Sequence, residues 1–88
     1  NKKFKKYNPK KGFKILKKLA QNNHPKAQYY VGYSLLRGIG TISNNKEALE
    51  WFEYSYFENN YIESSCMIAL MYANGFGRFQ NLGRANKM

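Results

Sequence analysis

His24 to Gly40 reads HPKAQYYVGYSLLRGIG, and Tyr61 to Gly77 reads YIESSCMIALMYANGFG. A shift of 37 places lays one over the other, so that Val31 meets Ile68, Gly32 meets Ala69, Leu35 meets Tyr72 and Gly38-Ile39-Gly40 meets Gly75-Phe76-Gly77. The correspondence extends outward: Asn44 meets Asn81, Ala48 meets Ala85, and Asn22-Asn23 recur as Asn59-Asn60. Upstream the spacing is 36, from Asn8 to Asn44 and from Gly12 to Ala48. Size class and small residues recur more faithfully than identity. A fixed period of this length marks a repeat architecture.

Caps and periodicity turn the repeat into helices. Asn8 is a good N-cap, with Pro9 at the first helical position, where a missing N–H costs nothing. From Pro9 to about Gln21, Phe13, Ile15, Leu16, Leu19 and Ala20 form one arc, and Lys10, Lys14, Lys17 and Lys18 the other. Pro25 restarts a helix to about Arg37, which Gly38-Ile39-Gly40 stops because glycine accepts the positive φ of a helix end. Ser43-Asn44 caps a third helix over 45–57, with Ala48, Trp51, Phe52, Ser55 and Tyr56 on its packing face. A fourth spans 62–74, ended by Gly75, and a fifth opens near Leu82 and covers 82–88. No alternating strand pattern competes. The fold class expected is all-α: antiparallel helix pairs stacked into a solenoid over residues 8–88, with residues 1–7 as a basic tail.

An 88-residue chain of 10.3 kDa is one small domain or a piece of a larger one, with little surface to bury. Its 43% hydrophobic and 17% aromatic content argues against disorder. No apolar run approaches the roughly 18 residues that would span a bilayer. A lone cysteine, Cys66, cannot close an internal disulfide, and with the lone His24 it leaves a poor inventory for metal or nucleophile chemistry. No cofactor is expected. The reduced thiol and the lack of a signal-peptide pattern favour an intracellular location, although the chain begins at Asn1 rather than Met.

Charge divides along the chain. Ten of the fifteen cations fall within the first 26 residues, uninterrupted by an acid, while all five acids lie between Glu47 and Glu63. The net charge is +10. Such a layout attracts an anionic partner to the N-terminal end.

The residues Lys26-Ala27-Gln28-Tyr29-Tyr30-Val31-Gly32, Leu35, Gly38-Ile39-Gly40 and Glu47-Ala48-Leu49-Glu50-Trp51-Phe52 resemble the pattern of Sel-like repeats, relatives of tetratricopeptide repeats. A second copy shows in Ile68-Ala69, Met71-Tyr72, Gly75-Phe76-Gly77 and Arg84-Ala85, and Lys14-Ile15-Leu16 with Leu19-Ala20 resembles the end of a preceding repeat. The resemblance implies a right-handed α-solenoid. Three departures stand out: Tyr54-Ser55-Tyr56-Phe57-Glu58 is one residue longer and more aromatic than usual, Ser64-Ser65 replaces Ala-Gln, and Gly83 weakens the last helix. In a solenoid one helix pair cannot bury its apolar stripe alone. Gly32 and Ala69 are therefore expected at close helix crossings. Further repeats, or a docked partner, are expected at one end at least.

Most conspicuous motifs have structural explanations. The two G-x-G segments follow no strand and lack a phosphate-binding fingerprint, so they read as helix stops. His24 sits at an inter-helix turn, Cys66 reads as an ordinary thiol and Trp51 as core. Glu47, Glu50 and Glu53 share one polar arc, where all three would be solvated; catalytic carboxylates need contrasting environments. The chain reads as a non-enzyme.

The informative remainder is the first helix of each repeat. Ala27, Val31, Ser34 and Leu35 form its packing arc, leaving Lys26, Tyr29, Tyr33, Leu36 and Arg37 on another, with Glu63, Cys66, Leu70, Ala73 and Asn74 as later counterparts. By resemblance to tetratricopeptide repeats, that arc lines a concave groove for a protein segment. Tyr29 and Tyr33 would be anchors, and Lys26 and Arg37 would pair acidic groups. The alternative is polyanion binding, to RNA or an acidic membrane surface, through Lys2, Lys3, Lys5, Lys6, Lys10 and Lys14, with Phe4 and Tyr7 stacking on bases. A third reading is a spacer or cap in a longer array.

Overall fold

A computed structural model describes residues 7–75. They are helical throughout, without a strand: α1 (Pro9–Gln21), α2 (Pro25–Arg37), α3 (Asn45–Glu53), a π-helical turn (Tyr54–Glu58) and α4 (Ile62–Asn74). The tail at residues 1–6 and the helix expected over 82–88 lie outside the described residues.

Local chemistry starts and stops these helices. The Lys11 N–H donates to Asn8 Oδ1 at 3.1 Å, and the Glu47 N–H donates to Asn44 Oδ1 at 2.9 Å. His24 does the same work at α2, its Nδ1 accepting from the Ala27 N–H at 3.2 Å, which leaves the ring proton on Nε2. Each such bond satisfies one of the N–H groups a helix start leaves unpaired. Gly38 ends α2 in the left-handed region at φ 73°.

Contacts at the helix ends set the topology. Ser55 Oγ reaches the Pro25 carbonyl, joining the end of α3 to the start of α2. The Asn44 N–H donates to the Leu35 carbonyl at 2.8 Å, joining the end of α2 to the start of α3. Consecutive helices are thus antiparallel, so α1 and α3 run parallel, as do α2 and α4. α2 packs between α1 and α3, and α4 packs on α3 and the π-turn. The core is one cluster: Ala20, Ala27, Val31, Leu35, Ala48, Leu49, Phe52, Ile68 and Met71. At Gly32 the crossing of α2 with α3 is close, since an added Cβ would sit 2.9 Å from Phe52 Cε1 and 3.1 Å from the Ala48 carbonyl oxygen. The loop after α2 returns to the start of α1, and a Cβ on Gly40 would collide with the Pro9 carbonyl.

Three expectations change. The helix expected over 45–57 is α-helical only to Glu53, and Tyr54–Glu58 is π-helical. The repeat spacing slips from 36 to 37 across this stretch, and a π-turn is how a helix absorbs one extra residue without losing its hydrogen bonds. Ala69 is exposed among the described residues, and the helix expected to cross it, over 82–88, lies outside them. Ile15 is 54% exposed and Leu19 41%, for α1 seals its core side with Phe13, Leu16 and Ala20. Glu53 is not solvated with Glu47 and Glu50: its Oε2 accepts from the Tyr72 hydroxyl at 2.7 Å and ties α3 to α4.

Two buried polar clusters tie the helices together. Gln28 is fully buried, donating to the Ala20 carbonyl at 3.1 Å and accepting from Asn59 Nδ2 at 2.9 Å, so it fastens two inter-helix turns to each other. Ser64 donates to Ser55 at 2.8 Å, and Ser55 donates onward to the Pro25 carbonyl at 3.1 Å. No buried side-chain polar atom lacks a partner among the described residues. Such networks fix register, because half-satisfied alternatives are costly.

Candidate functional site

The stripe on α2 rests on helical spacing: Lys26, Tyr29, Tyr33, Leu36 and Arg37 stand at steps of three and four, as do Glu63, Cys66, Leu70 and Asn74 on α4. The structure brings the middle of these stripes together. Tyr29 titrates above its ordinary value of 10.0, chiefly because it is removed from water, then through Tyr30, Tyr33, Glu63 and Cys66. Tyr29 and Tyr33 of α2 therefore share one electrostatic neighbourhood with Glu63 and Cys66 of α4.

Within that face the residues differ in what they can offer. Tyr29 is half-buried among aromatic rings, with Tyr30 at 5.1 Å and Phe52 and Tyr61 at 5.6 Å. Its ring holds helices together, and only part of it can meet a partner. Tyr33 is half-buried against the core, and the Arg37 guanidinium lies 5.7 Å from its ring centre while donating to its hydroxyl at 3.4 Å. That contact orients the cation. Leu36 also packs against the core. Lys26, Glu63, Cys66, Leu70 and Asn74 are exposed. The Asn74 amide folds back onto the Leu70 carbonyl at 2.9 Å, and Lys26 has no ion-pair partner among the described residues.

Sequence reasoning missed Tyr30 and Tyr61. Tyr61 also titrates above 10.0, with loss of water first and Glu63, Tyr30 and Tyr29 after it. Tyr29, Tyr30 and Tyr61 thus form a tyrosine cluster beside Glu63. The repeat offered one signal: Tyr61 matches His24, the residue that opens α2.

Of the lysines assigned to polyanion binding, Lys10 and Lys14 are exposed on α1, together with Lys11 and Lys18. Lys2, Lys3, Lys5 and Lys6 lie outside the described residues. Across the molecule, a cleft of about 650 Å³ opens between the end of α1 and the outer side of α3, lined by Gln21, Asn44, Glu47, Glu50, Trp51 and Tyr54. Trp51, expected as core, is half-buried and forms its wall, edge-on to Tyr54 at 6.5 Å. Lys17 bridges its rim to Glu47 at 3.9 Å. Among the described residues no group of acids, histidines or thiols is arranged to hold a metal ion. None of the described helices is long and apolar enough to cross a membrane.

Stacked antiparallel helix pairs, repeated along the chain, define a helical-repeat solenoid. The chain belongs to the Sel1 repeat family, whose pattern matches residues 3–24, 25–56 and 62–88. Sel1 repeats generally mediate protein–protein interaction, and the family is of a non-catalytic, scaffolding type. No curated protein and no solved structure matches the chain.

Proposed function

We propose that this chain is a non-catalytic scaffold segment that receives a protein segment along the face shared by α2 and α4. One observation carries the reading. The Arg37 guanidinium lies over the Tyr33 ring on α2, 5.7 Å from its centre, and the α4 counterparts of this stripe, Glu63, Cys66 and Leu70, are exposed. Aromatic edges and an oriented guanidinium are the groups that concentrate binding energy at interfaces, because they bury area at little entropic cost. Lys26 and Arg37 flank the tyrosines at opposite ends of α2 and favour carboxylates at both ends of a bound segment. Peptides selected from a displayed library against the full chain should perturb the amides of Tyr33, Arg37, Cys66 and Leu70. Arg37→Glu should shift the selected sequences from acidic to basic. Perturbations confined to the outer faces of α1 and α3 would remove this surface from consideration.

A second reading rests on the exposed Lys10, Lys11, Lys14 and Lys18, a helix face with no acid. Binding of a single-stranded RNA oligonucleotide through it would fall steeply with salt, in proportion to the phosphates neutralised. Binding that persists unchanged at high salt excludes it.

A further inference from the structure

The outer faces of α1 and α3 carry opposite charges at matching places in the repeat. Thirty-six residues apart, Lys11 corresponds to Glu47, Lys14 to Glu50 and Lys17 to Glu53. On α1 the stripe of Lys11, Lys14 and Lys18 is exposed, with Ile15 and Leu19 open beside it. On α3 and the π-turn the stripe is Glu47, Glu50, Tyr54 and Glu58, with Tyr54 47% exposed and Phe57 65% exposed. The Lys17–Glu47 bridge and the shared cleft place the two helices side by side on one face of the solenoid, opposite the proposed groove. Lys11, Lys14, Lys18 and Glu50 have no ion-pair partner among the described residues.

The geometry points to a second copy of this chain as the occupant of this face. Two parallel helices lying side by side, one cationic and aliphatic, the other anionic and aromatic, form a self-complementary surface. A two-fold axis along the cleft sets α1 of one copy over α3 of its partner, and α3 over α1. Such an interface is isologous, so each favourable pair occurs twice. The apolar side chains exposed in both stripes, Ile15 and Leu19 against Tyr54 and Phe57, would be covered together. The net charge of +10 opposes pairing of like copies. Charges are largely screened beyond about 8 Å at physiological ionic strength, so only cations close to the interface oppose the pairing in full. The tyrosine face stays free on both copies, and the dimer would present two grooves. A tethered or repetitive partner would then be held with avidity.

Charge exchange tests this. Sedimentation velocity of the full chain at physiological salt should show a monomer–dimer equilibrium at or below about 1 mM, as expected for a small transient interface. The variant Lys11→Glu/Lys14→Glu and the variant Glu47→Lys/Glu50→Lys should each dimerise about a hundredfold more weakly, since four attractive pairs become repulsive. Mixed together, the two variants should recover a one-to-one complex, because each supplies the charges the other needs. If circular dichroism shows either double variant to have lost helix, the single exposed pair Lys14→Glu and Glu50→Lys makes the same comparison with a smaller change. A wild-type chain that stays monomeric at that concentration overturns the proposal. So do variants that dimerise as wild type, or folded variants that fail to pair when mixed.

Discussion

Replacing Gly32 with Ala and Gly12 with Ala makes the same chemical change in two adjacent helices, and the structure assigns the two opposite signs. Intrinsically, alanine in a helix interior is worth up to about 1 kcal/mol over glycine, mostly through the unfolded chain. At Gly12 the new methyl group would meet nothing within 4 Å beyond its own turn of helix, so that gain of about 0.5–1 kcal/mol is realised in full. At Gly32 the methyl would lie 2.9 Å from Phe52 Cε1, 3.0 Å from Cδ1 and 3.1 Å from the Ala48 carbonyl oxygen. The Phe52 ring cannot swing aside, being fully buried with Tyr29 5.6 Å away, and the carbonyl belongs to the backbone of α3. Relief requires α2 and α3 to separate, and overpacking of this kind costs about 1–3 kcal/mol. Set against the propensity gain, Gly32→Ala should destabilise by about 1 kcal/mol, and Gly32→Leu by about 3 kcal/mol or more. In a domain of this size each kcal/mol moves the melting midpoint by about 4–8 °C. Thermal and urea melts followed by far-UV circular dichroism would therefore separate Gly12→Ala upward from Gly32→Ala downward. If Gly32→Ala stabilises as much as Gly12→Ala, the close α2–α3 crossing is wrong, and the packing built on it goes too.

Three further outcomes follow from the same geometry. Gly40→Ala combines a left-handed φ of 75° with a collision against the Pro9 carbonyl and should cost about 2–4 kcal/mol; a melt within 2 °C of wild type contradicts the loop's approach to α1. Ser55→Ala leaves the buried Ser64 hydroxyl without its acceptor and should cost about 1–3 kcal/mol, whereas Ser55→Ala/Ser64→Ala should cost less than the sum of the two singles; strict additivity in a double-mutant cycle would argue against the bond. Tyr29 and Tyr61 both titrate above 10.0, so the folded chain holds their protons more tightly than the unfolded chain. Their contribution to stability is complete below about pH 10 and is lost as the pH rises through the raised values. Tyr29→Phe should flatten this alkaline decline; an unchanged slope in urea titrations refutes the assignment.

Helix starts were legible because they depend on neighbours in the chain. Asn8, Asn44 and Gly38 act within four residues of where they stand, and the structure finds each at a helix boundary. The packing arc of α2 was legible for a similar reason: Ala27, Val31, Ser34 and Leu35 follow the helix period, and all four are buried. The binding face was legible only in part. Spacing put Tyr29 and Tyr33 on one stripe, but it could not tell that Tyr29 would be occupied by three neighbouring rings.

By itself, then, the amino-acid order determined the helical class, the starts of α1, α2 and α3, the antiparallel stacking and the family, since each of these follows from local backbone chemistry and a repeating apolar period. Only the tertiary structure decided the fate of individual polar and small residues. Gln28 became a buried clasp between two turns, and Glu53 a partner of Tyr72. The one-residue surplus after Glu53 became a π-turn that keeps Ser55 in contact with Ser64 and Pro25. In each case the outcome depends on which atoms of another helix lie across the gap, and the period within a single helix carries no record of them.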